Sequence, residues 1–200
     1  VANRTEVLDE ENEKTAEYEP VLGARGCDKA AEFVSFCDAF NIPVLALVNV
    51  KGYKQSKCTE RRIAKAAGRL TYAFANADVP KVTVVIGEAY GSAYVTMNSK
   101  SIGADIVYAW PDAKIGMMDA AAAVKIMYAE EISASDKAAA LISEKAAEYE
   151  ALQSSAAAAA GRGYVDDIIK AEETRQRVIA AFEMLFTKRE GRPSRKHGTV

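Results

Sequence analysis

The sequence predicts an α/β fold built on one hydrophobic core. Short apolar or β-branched runs, Val44–Val50 and Val82–Ile86 foremost, alternate with longer stretches of helical period. Turn-forming residues such as Asn41-Ile42-Pro43 and Gly161-Arg162-Gly163 punctuate that alternation. The chain of 200 residues is long enough for a single domain with a real interior, and repeated strand–helix units on one core mean α/β.

Val1-Ala2-Asn3 reads as the end of a strand, as though the chain starts in the middle of something. Residues Arg4 to Arg25 are charged and aperiodic, which predicts a loop. Asp28 to Phe40 is an amphipathic helix, with Ala31, Phe33, Val34 and Cys37 recurring at helical steps and Asp28 placed as its cap. Asn41-Ile42-Pro43 stops it before the buried strand Val44–Val50. Lys51-Gly52-Tyr53 then turns into a polar loop ending near Thr59-Glu60. A second helix spans Arg61 to Asn76, bounded by Asp78 and Pro80. The strand Val82–Ile86 breaks at Gly87, and a helix opens at Gly91. After Gly103 come a strand over Asp105–Ala109, a turn at Trp110-Pro111-Asp112 and a short apolar strand over Lys114–Met117.

From Asp119 onward the chain is helical and alanine-rich. Ala120–Tyr128 makes one helix, and Ser135 to about Ala160 makes one or two more with Asp136 as a cap candidate. Ala156–Ala160 is compositionally simple but strongly helix-favouring, so it reads as a packed helix. Val165–Ile169 is a short extended piece, Glu173–Lys188 a final amphipathic helix, and Glu190–Val200 a polar tail.

Composition narrows the function. Half the residues are hydrophobic and the formal net charge is -2, which gives no electrostatic footprint for nucleic acid. No apolar run approaches the roughly 18 residues of a membrane-spanning helix. The opening VANRTEVLDE lacks the apolar region of a signal peptide. Cys27, Cys37 and Cys58 are odd in number and without C-x-x-C spacing, which points to reduced thiols in the cytoplasm rather than disulfides or zinc. The only histidine, His197, stands four residues from the C-terminal end of the sequence, a poor place for a triad or a metal ligand. Backbone dipoles and a bound cofactor are the instruments left to such a chain.

Val82–Met97, VTVVIGEAYGSAYVTM, is where those instruments would sit. Strand, small-residue turn and helix aim free backbone N–H groups into a pocket, because the first N–H groups of a helix have no partner within it. Gly91, Ser92 and Ala93 are small enough for close approach, and such a corner holds a developing oxyanion without a catalytic side chain. The same pattern also fits a tight β–α connection packed for its own sake.

The segments CDAFNIPVLALVNVKGY, YAFANADVPKVTVVIGEAYGSAY, SKSIGADIVYAWPDAKIGMM and GYVDDIIKAEETRQRVIAAFEML resemble the C-terminal half of biotin-dependent acyl-CoA carboxyltransferases. These include β subunits of acetyl- and propionyl-CoA carboxylases and α subunits of sodium-pumping decarboxylases. The resemblance runs from Val1 to Arg195–Gly198. It implies a crotonase-like β-β-α superhelix as a single domain over residues 1–200. It also implies carboxyl transfer between carboxybiotin and an acyl-CoA, with biotin carried on a carrier protein. In the family, backbone N–H groups at the positions of Ser92 and Ala93 stabilise the ureido oxygen of biotin, in a loop that usually reads AYGGAY. Ser92 adds a hydroxyl there, to hydrogen-bond that oxygen or to crowd it. The family's PGF turn corresponds to Lys51-Gly52-Tyr53, and its following Pro-Gly to Gln55-Ser56. Glu60 and Arg69 fall where the family has a glutamate and a lysine. Val95 matches the position that tunes the acyl pocket, and Met117-Met118 an apolar wall near biotin. The family's CoA-binding N-terminal half is outside this resemblance, so the expectation is an inactive component that needs that half as partner in a homo- or hetero-oligomer.

Other readings stay open. Tyr90, Tyr94, Tyr108 and Trp110 flank the expected cleft, to stack on biotin or to pack a core or interface. Asp112 and Asp119 read as caps or turns, and the Arg192–His197 tail as a solvated terminus. A stand-alone crotonase-type hydratase or thioester hydrolase would use the same corner, and a non-catalytic assembly subunit would tolerate the departures at Ser92 and Gln55-Ser56. With a wide apolar surface on its alanine-rich helices, the isolated chain is expected to self-associate or dissolve poorly.

Overall fold

The computed structural model describes residues 1–3, 5–135 and 137–191. The cap candidate Asp136, the histidine His197 and the Arg192–His197 tail lie outside the described residues.

The helices and strands alternate as expected. Strand β1 (Glu6–Leu8) and strand β2 (Lys14–Glu17) form an antiparallel hairpin, followed by β3 (Val21–Leu22) and helix α1 (Ala24–Ala39). Next come β4 (Val44–Val50), β5 (Gly52–Tyr53), α2 (Lys57–Glu60), α3 (Ile63–Asn76), β6 (Lys81–Tyr90) and α4 (Gly91–Thr96). Two short strands, β7 (Ile106–Ala109) and β8 (Lys114–Gly116), lead into α5 (Ala120–Met127), α6 (Ala129–Ala134) and α7 (Ala138–Tyr149). A π-helical stretch over Glu150–Ser154 joins α7 to α8 (Ala156–Gly161), and β9 (Asp167–Ile168) and α9 (Thr174–Met184) follow.

The main sheet is parallel, in the order β4-β6-β7-β9, with β8 added to the far half of β6. Strand alternation sorts its side chains. Val44, Val48 and Val50 of β4 and Val85 of β6 face Cys27, Ala31, Val34 and Cys37 of α1 and Leu70 and Phe74 of α3. Val82 and Val84 face the other way, onto Tyr108, Ile169, Val178 and Ala181.

Strand β6 does not stop at Gly87 as the sequence suggests. It runs on to Tyr90 through a bulge: Val48 pairs with Val85 and Val50 with Ala89, so three residues of β6 face the single residue Asn49. The Asn49 side chain fills the gap by accepting the Glu88 N–H at 3.1 Å, and its main-chain oxygen accepts from the Asn3 amide at 2.7 Å. Gly87 makes room for it, because a Cβ there would lie 2.7 Å from Asn49 Oδ1. Past the bulge β6 leaves β7 and pairs with β8, Glu88–Tyr90 against Lys114–Gly116.

Three expectations need correction. Residues 4–25 are not a loop throughout: they hold the β1–β2 hairpin, β3 and the first two residues of α1, whose N-cap is Gly23 rather than Asp28. Asp28, inside the helix, instead ties α1 to α3 through Arg69 at 2.9 Å. Phe33 is 51 % exposed, because the buried stripe Cys27-Ala31-Val34-Cys37 leaves it about 100° round the helix. Lys81, fully buried, donates to the Phe74 carbonyl at 2.7 Å and so closes the C-terminal end of α3.

The bulge generates a test. Gly87→Ala should displace the Asn49 side chain and cost about 1–3 kcal/mol, the range for an orphaned polar group in a strained strand. In an Asn49→Ala background the same substitution should cost much less. Urea denaturation of the double-mutant cycle measures the coupling; additive costs would show that Asn49 and Gly87 do not act together.

Candidate active site

At Tyr90, in extended conformation, β6 gives way to α4, and the turn is made by Gly91 at φ +59. A side chain is disfavoured in that left-handed region and would also stand 3.0 Å from the Met117 carbonyl oxygen. The close approach follows from the sheet, since Tyr90 pairs with Gly116. The bulge at Gly87 thus carries the Gly91 corner against the end of β8.

Gly91, Ser92, Tyr94 and Val95 line one side of a cavity of about 560 Å³. Ile115, Gly116 and Met117 face them, and Lys100, Ser101, Arg162 and Tyr164 complete the lining. Ser92 is exposed, while Ala93 lies buried beneath it. First-turn N–H groups have no acceptor within a helix, so this corner carries donors at the cavity edge.

A second set of bonds fixes the corner from behind. The Tyr53 hydroxyl donates to the Ser92 carbonyl at 3.2 Å and lies 2.8 Å from Thr96 Oγ1, which itself donates to the same carbonyl at 2.9 Å. The Ser92 carbonyl and the Ala93 N–H belong to one planar peptide, so Tyr53 and Thr96 set the direction of that N–H.

The rim cations are balanced rather than bare. Lys100 holds both oxygens of Asp166 at 2.8 and 2.6 Å, and Arg162 donates to the Gln153 main chain at 2.8 Å and to its side-chain oxygen. Burial pushes the Tyr94 phenol up to about 12, with Tyr164 adding to the shift, and its hydroxyl has no hydrogen-bond partner among the described residues. Burial pushes Tyr90 up to about 12 as well, reinforced by the carboxylates of Glu88, Glu150 and Asp119. Both phenols are neutral at physiological pH.

The structure therefore brings Gly91, Ser92, Tyr94 and Val95 into one cavity and leaves Ala93, Tyr90, Gly52 and Tyr53 outside its lining. Tyr108 and Trp110 do not flank it. Tyr108 packs with Ile169 and Val178, and the Trp110 indole donates to Thr174 at 2.9 Å, because β7 faces α9. Asp119 caps α5 by accepting the Ala122 N–H at 3.0 Å, as expected, and Glu60 is exposed at the end of α2. Cys27, Cys37 and Cys58 are free thiols. Sequence reasoning passed over Lys100, Arg162 and Tyr164, which reach the cavity from distant segments; Gly161-Arg162-Gly163 signalled only a helix end. A larger groove, about 710 Å³ between Pro111–Lys114 and the alanine-rich α5 and α7, gathers none of the site residues. Among the described residues no helix is long and apolar enough to cross a membrane, and no cluster of His, Cys, Asp or Glu could hold a metal ion.

Residues 2–200 match the carboxyl transferase domain family. The chain is 44 % identical over 178 residues to the methylmalonyl-CoA carboxyltransferase 12S subunit of Propionibacterium freudenreichii subsp. shermanii, covering 88 % of this chain and 34 % of that protein. It is 44 % identical over 174 residues to methylmalonyl-CoA decarboxylase subunit alpha of Propionigenium modestum, covering 86 % and 34 %. The crystal structure of transcarboxylase 12S, a hexamer with methylmalonyl-coenzyme A and methylmalonic acid bound, superposes with a TM-score of 0.85 at 44 % identity over 89 % of this chain and 34 % of that one. The chain thus spans about a third of the length of these relatives.

The buried phenols yield two expectations. Tyr94→Phe deletes an unpartnered hydroxyl, so the ligand-free protein should be unchanged or up to about 1 kcal/mol more stable in urea. A phenol whose pKa is raised by folding, here from 10.0 to about 12, keeps its proton longer in the folded state, so stability should fall as pH rises through that interval. Thermal unfolding followed from neutral to alkaline pH should show the fall, shallower in Tyr94→Phe; equal slopes would place the Tyr94 hydroxyl in water.

Proposed function

Because the chain belongs to the carboxyl transferase domain family and has its crotonase-like fold, we propose that it is the biotin-facing half of an acyl-CoA carboxyltransferase. The observation that carries the reading is the Gly91 corner, which opens α4 onto the cavity beside β8. A CoA-binding half, on the same polypeptide or another, faces it, and biotin arrives on a carrier protein.

The cavity suits a bicyclic urea on an alkyl arm. Gly91, Ser92 and Gly116 leave its base open, and Val95, Ile115 and Met117 supply apolar walls. Biotin, when bound, supplies the nitrogen that carries the carboxyl group and then takes up the α-proton of the acyl-CoA. The protein's own contribution is electrostatic. The N–H groups of Ser92 and Ala93 face the ureido oxygen and stabilise the negative charge that builds there. Tyr53 and Thr96 hold the Ser92–Ala93 peptide in that direction beforehand, so no reorganisation is needed at the moment of reaction. The apolar walls exclude water, which strengthens those dipoles. Tyr53 acts as a positioning residue rather than as a contact to biotin. Three free thiols accord with the reducing cytoplasm.

The likeness to methylmalonyl-CoA decarboxylase subunit alpha supports a second reading, in which the same site removes the carboxyl group as part of a decarboxylase. Both readings need the same donors.

The 200-residue chain alone, given free biotin and propionyl- or methylmalonyl-CoA, should transfer no carboxyl group, and adding the CoA-binding half with a biotinylated carrier should restore transfer. In the restored system Ser92→Pro, which removes one N–H from a helix turn where proline is tolerated, should lower kcat about 10²–10³-fold. Tyr53→Phe should lower kcat about fivefold, one hydrogen bond's worth. Turnover by the isolated chain at the restored rate, or an unimpaired Ser92→Pro enzyme, would overturn the assignment.

A further inference from the structure

The cavity beside the Gly91 corner carries more positive charge than the backbone chemistry uses. Among the described residues its lining holds two cations, Lys100 and Arg162, and no carboxylate. The Lys100 charge is cancelled, because both oxygens of Asp166 stand at 2.8 and 2.6 Å from its ammonium. Arg162 is tied down but not neutralised. Its guanidinium donates to the Gln153 main-chain oxygen at 2.8 Å and to the Gln153 side-chain oxygen, and Gln153 carries no charge.

Local structure holds this side chain at the cavity. Gln153 belongs to the π-helical stretch Glu150–Ser154, which Ser155 ends in extended conformation. Carbonyls at the end of a helix have no partner within it, so the Gln153 oxygen is open to a donor from elsewhere. Arg162, the residue that follows α8, reaches back nine residues to supply one. A guanidinium has five N–H groups in one plane, and these two bonds take two of them. The other three form no hydrogen bond among the described residues. The result is a fixed cationic fork with donors to spare.

The lining is sorted by polarity. Asp166, two residues beyond Tyr164, grips Lys100, so the segment that carries Arg162 and Tyr164 adjoins Lys100 and Ser101. Val95, Ile115 and Met117 are the apolar part. A bicyclic urea on an amide-linked arm is neutral, and apolar walls with backbone donors suffice for it. The same urea bearing a carboxyl group on nitrogen carries one negative charge. A planar cation with parallel donors matches a carboxylate in both charge and shape.

We propose that Arg162 binds the group being transferred in its carboxylate form, so that the cavity favours a carboxylated reactant over the same reactant without the carboxyl group. Such a role for Arg162 rests on the biotin-facing reading above and adds to it a preference between two states of one reactant. The carboxylated reactant gains the guanidinium contact on entry. Once the carboxyl group has left, the contact is gone and the neutral product is released more readily. A carboxylate of this kind arrives either on the ureido nitrogen of biotin or on a methylmalonyl group, and binding measurements separate the two sources.

Two pairs of probes test it, each pair alike in shape and different in charge. The first pair is biotin methylamide alkylated on the ureido nitrogen with a carboxymethyl or an ethyl group. The second is the N-acetylcysteamine thioesters of methylmalonate and propionate. Titrated into the 200-residue chain and followed by NMR, the anionic member of a pair should bind about tenfold more tightly than the neutral one, the worth of one charge-assisted contact. Arg162 is exposed, so Arg162→Gln should leave the fold intact and bring that ratio close to one, while Arg162→Lys should keep part of it. A purely structural role, closing the break after Ser154, would lower thermal stability and leave the ratio alone. A preference within the biotin pair puts the carboxylate on biotin, and one within the thioester pair alone puts it on the acyl group; either supports the assignment. Equal affinities within both pairs, or a preference that survives Arg162→Gln, overturn it while the biotin-facing reading stands. If neither biotin probe binds, that reading falls and the thioester pair decides for Arg162; no binding in either pair overturns both.

Discussion

The site depends on the approach of Asn49 to Gly87. Where three residues of β6 pass one residue of β4, the strand would be left with an unpaired amide and no reason to bend. The Asn49 carboxamide takes up the Glu88 N–H and forces the bend, and the missing side chain at Gly87 is what admits it. Without the bend β6 would continue beside β7, and β8 would have no strand to pair with. With it, one strand serves two sheet segments, and its end arrives at Gly91 against Met117. The packing before the bulge belongs to the core; the geometry after it belongs to the cavity.

That division leaves the cavity with few reactive side chains and one well-placed stretch of backbone. Among the described residues the cavity lining holds no histidine or cysteine, and its lysine and arginine are committed to Asp166 and Gln153. What remains is the peptide backbone at the start of a short helix. A backbone donor is useful only when its direction is fixed, and three hydroxyl-bearing residues work to that end: Thr71 donates to Thr96, which with Tyr53 grips the Ser92 carbonyl. Tyr53 comes from β5, whose partner β3 carries the root of the hairpin. The orientation of one peptide is thus tied to the edge of the domain.

The core strands were legible in the sequence because β-branched runs bounded by Pro43 and Pro80 allow little else. The Gly91 corner was legible for the same reason. Gly87 misled because a glycine inside a strand signals either an end or a bulge, and only the partner strand decides between them. The hairpin was invisible since its strands are only three and four residues long, three of their five exposed positions are charged, and only Val7 and Ala16 are half-buried. Phe33 misled through residue type, its aromatic bulk outweighing the stripe set by Cys27, Ala31, Val34 and Cys37. Part of the cavity was also out of reach, because Lys100, Arg162 and Tyr164 arrive from segments whose local pattern says only turn or helix end.

The departures from the family pattern fall where this architecture tolerates them. Gly91, which is glycine in the family loop as well, cannot accept a side chain without strain against Met117. Ser92, exposed on the first turn of α4, keeps its N–H whatever side chain it bears, so serine in place of glycine changes the surface of the cavity and not its donors. Lysine at position 51 keeps the N–H that bonds Pro20, a donor the family's proline lacks, and so adds a tie between β5 and the hairpin root. Gln55-Ser56 in place of Pro-Gly gives α2 a serine cap, since Ser56 accepts the Thr59 N–H at 3.2 Å. The departures at Lys51, Gln55-Ser56 and Ser92 thus add main-chain ties and a helix cap around the Gly91 corner without removing a backbone N–H from it.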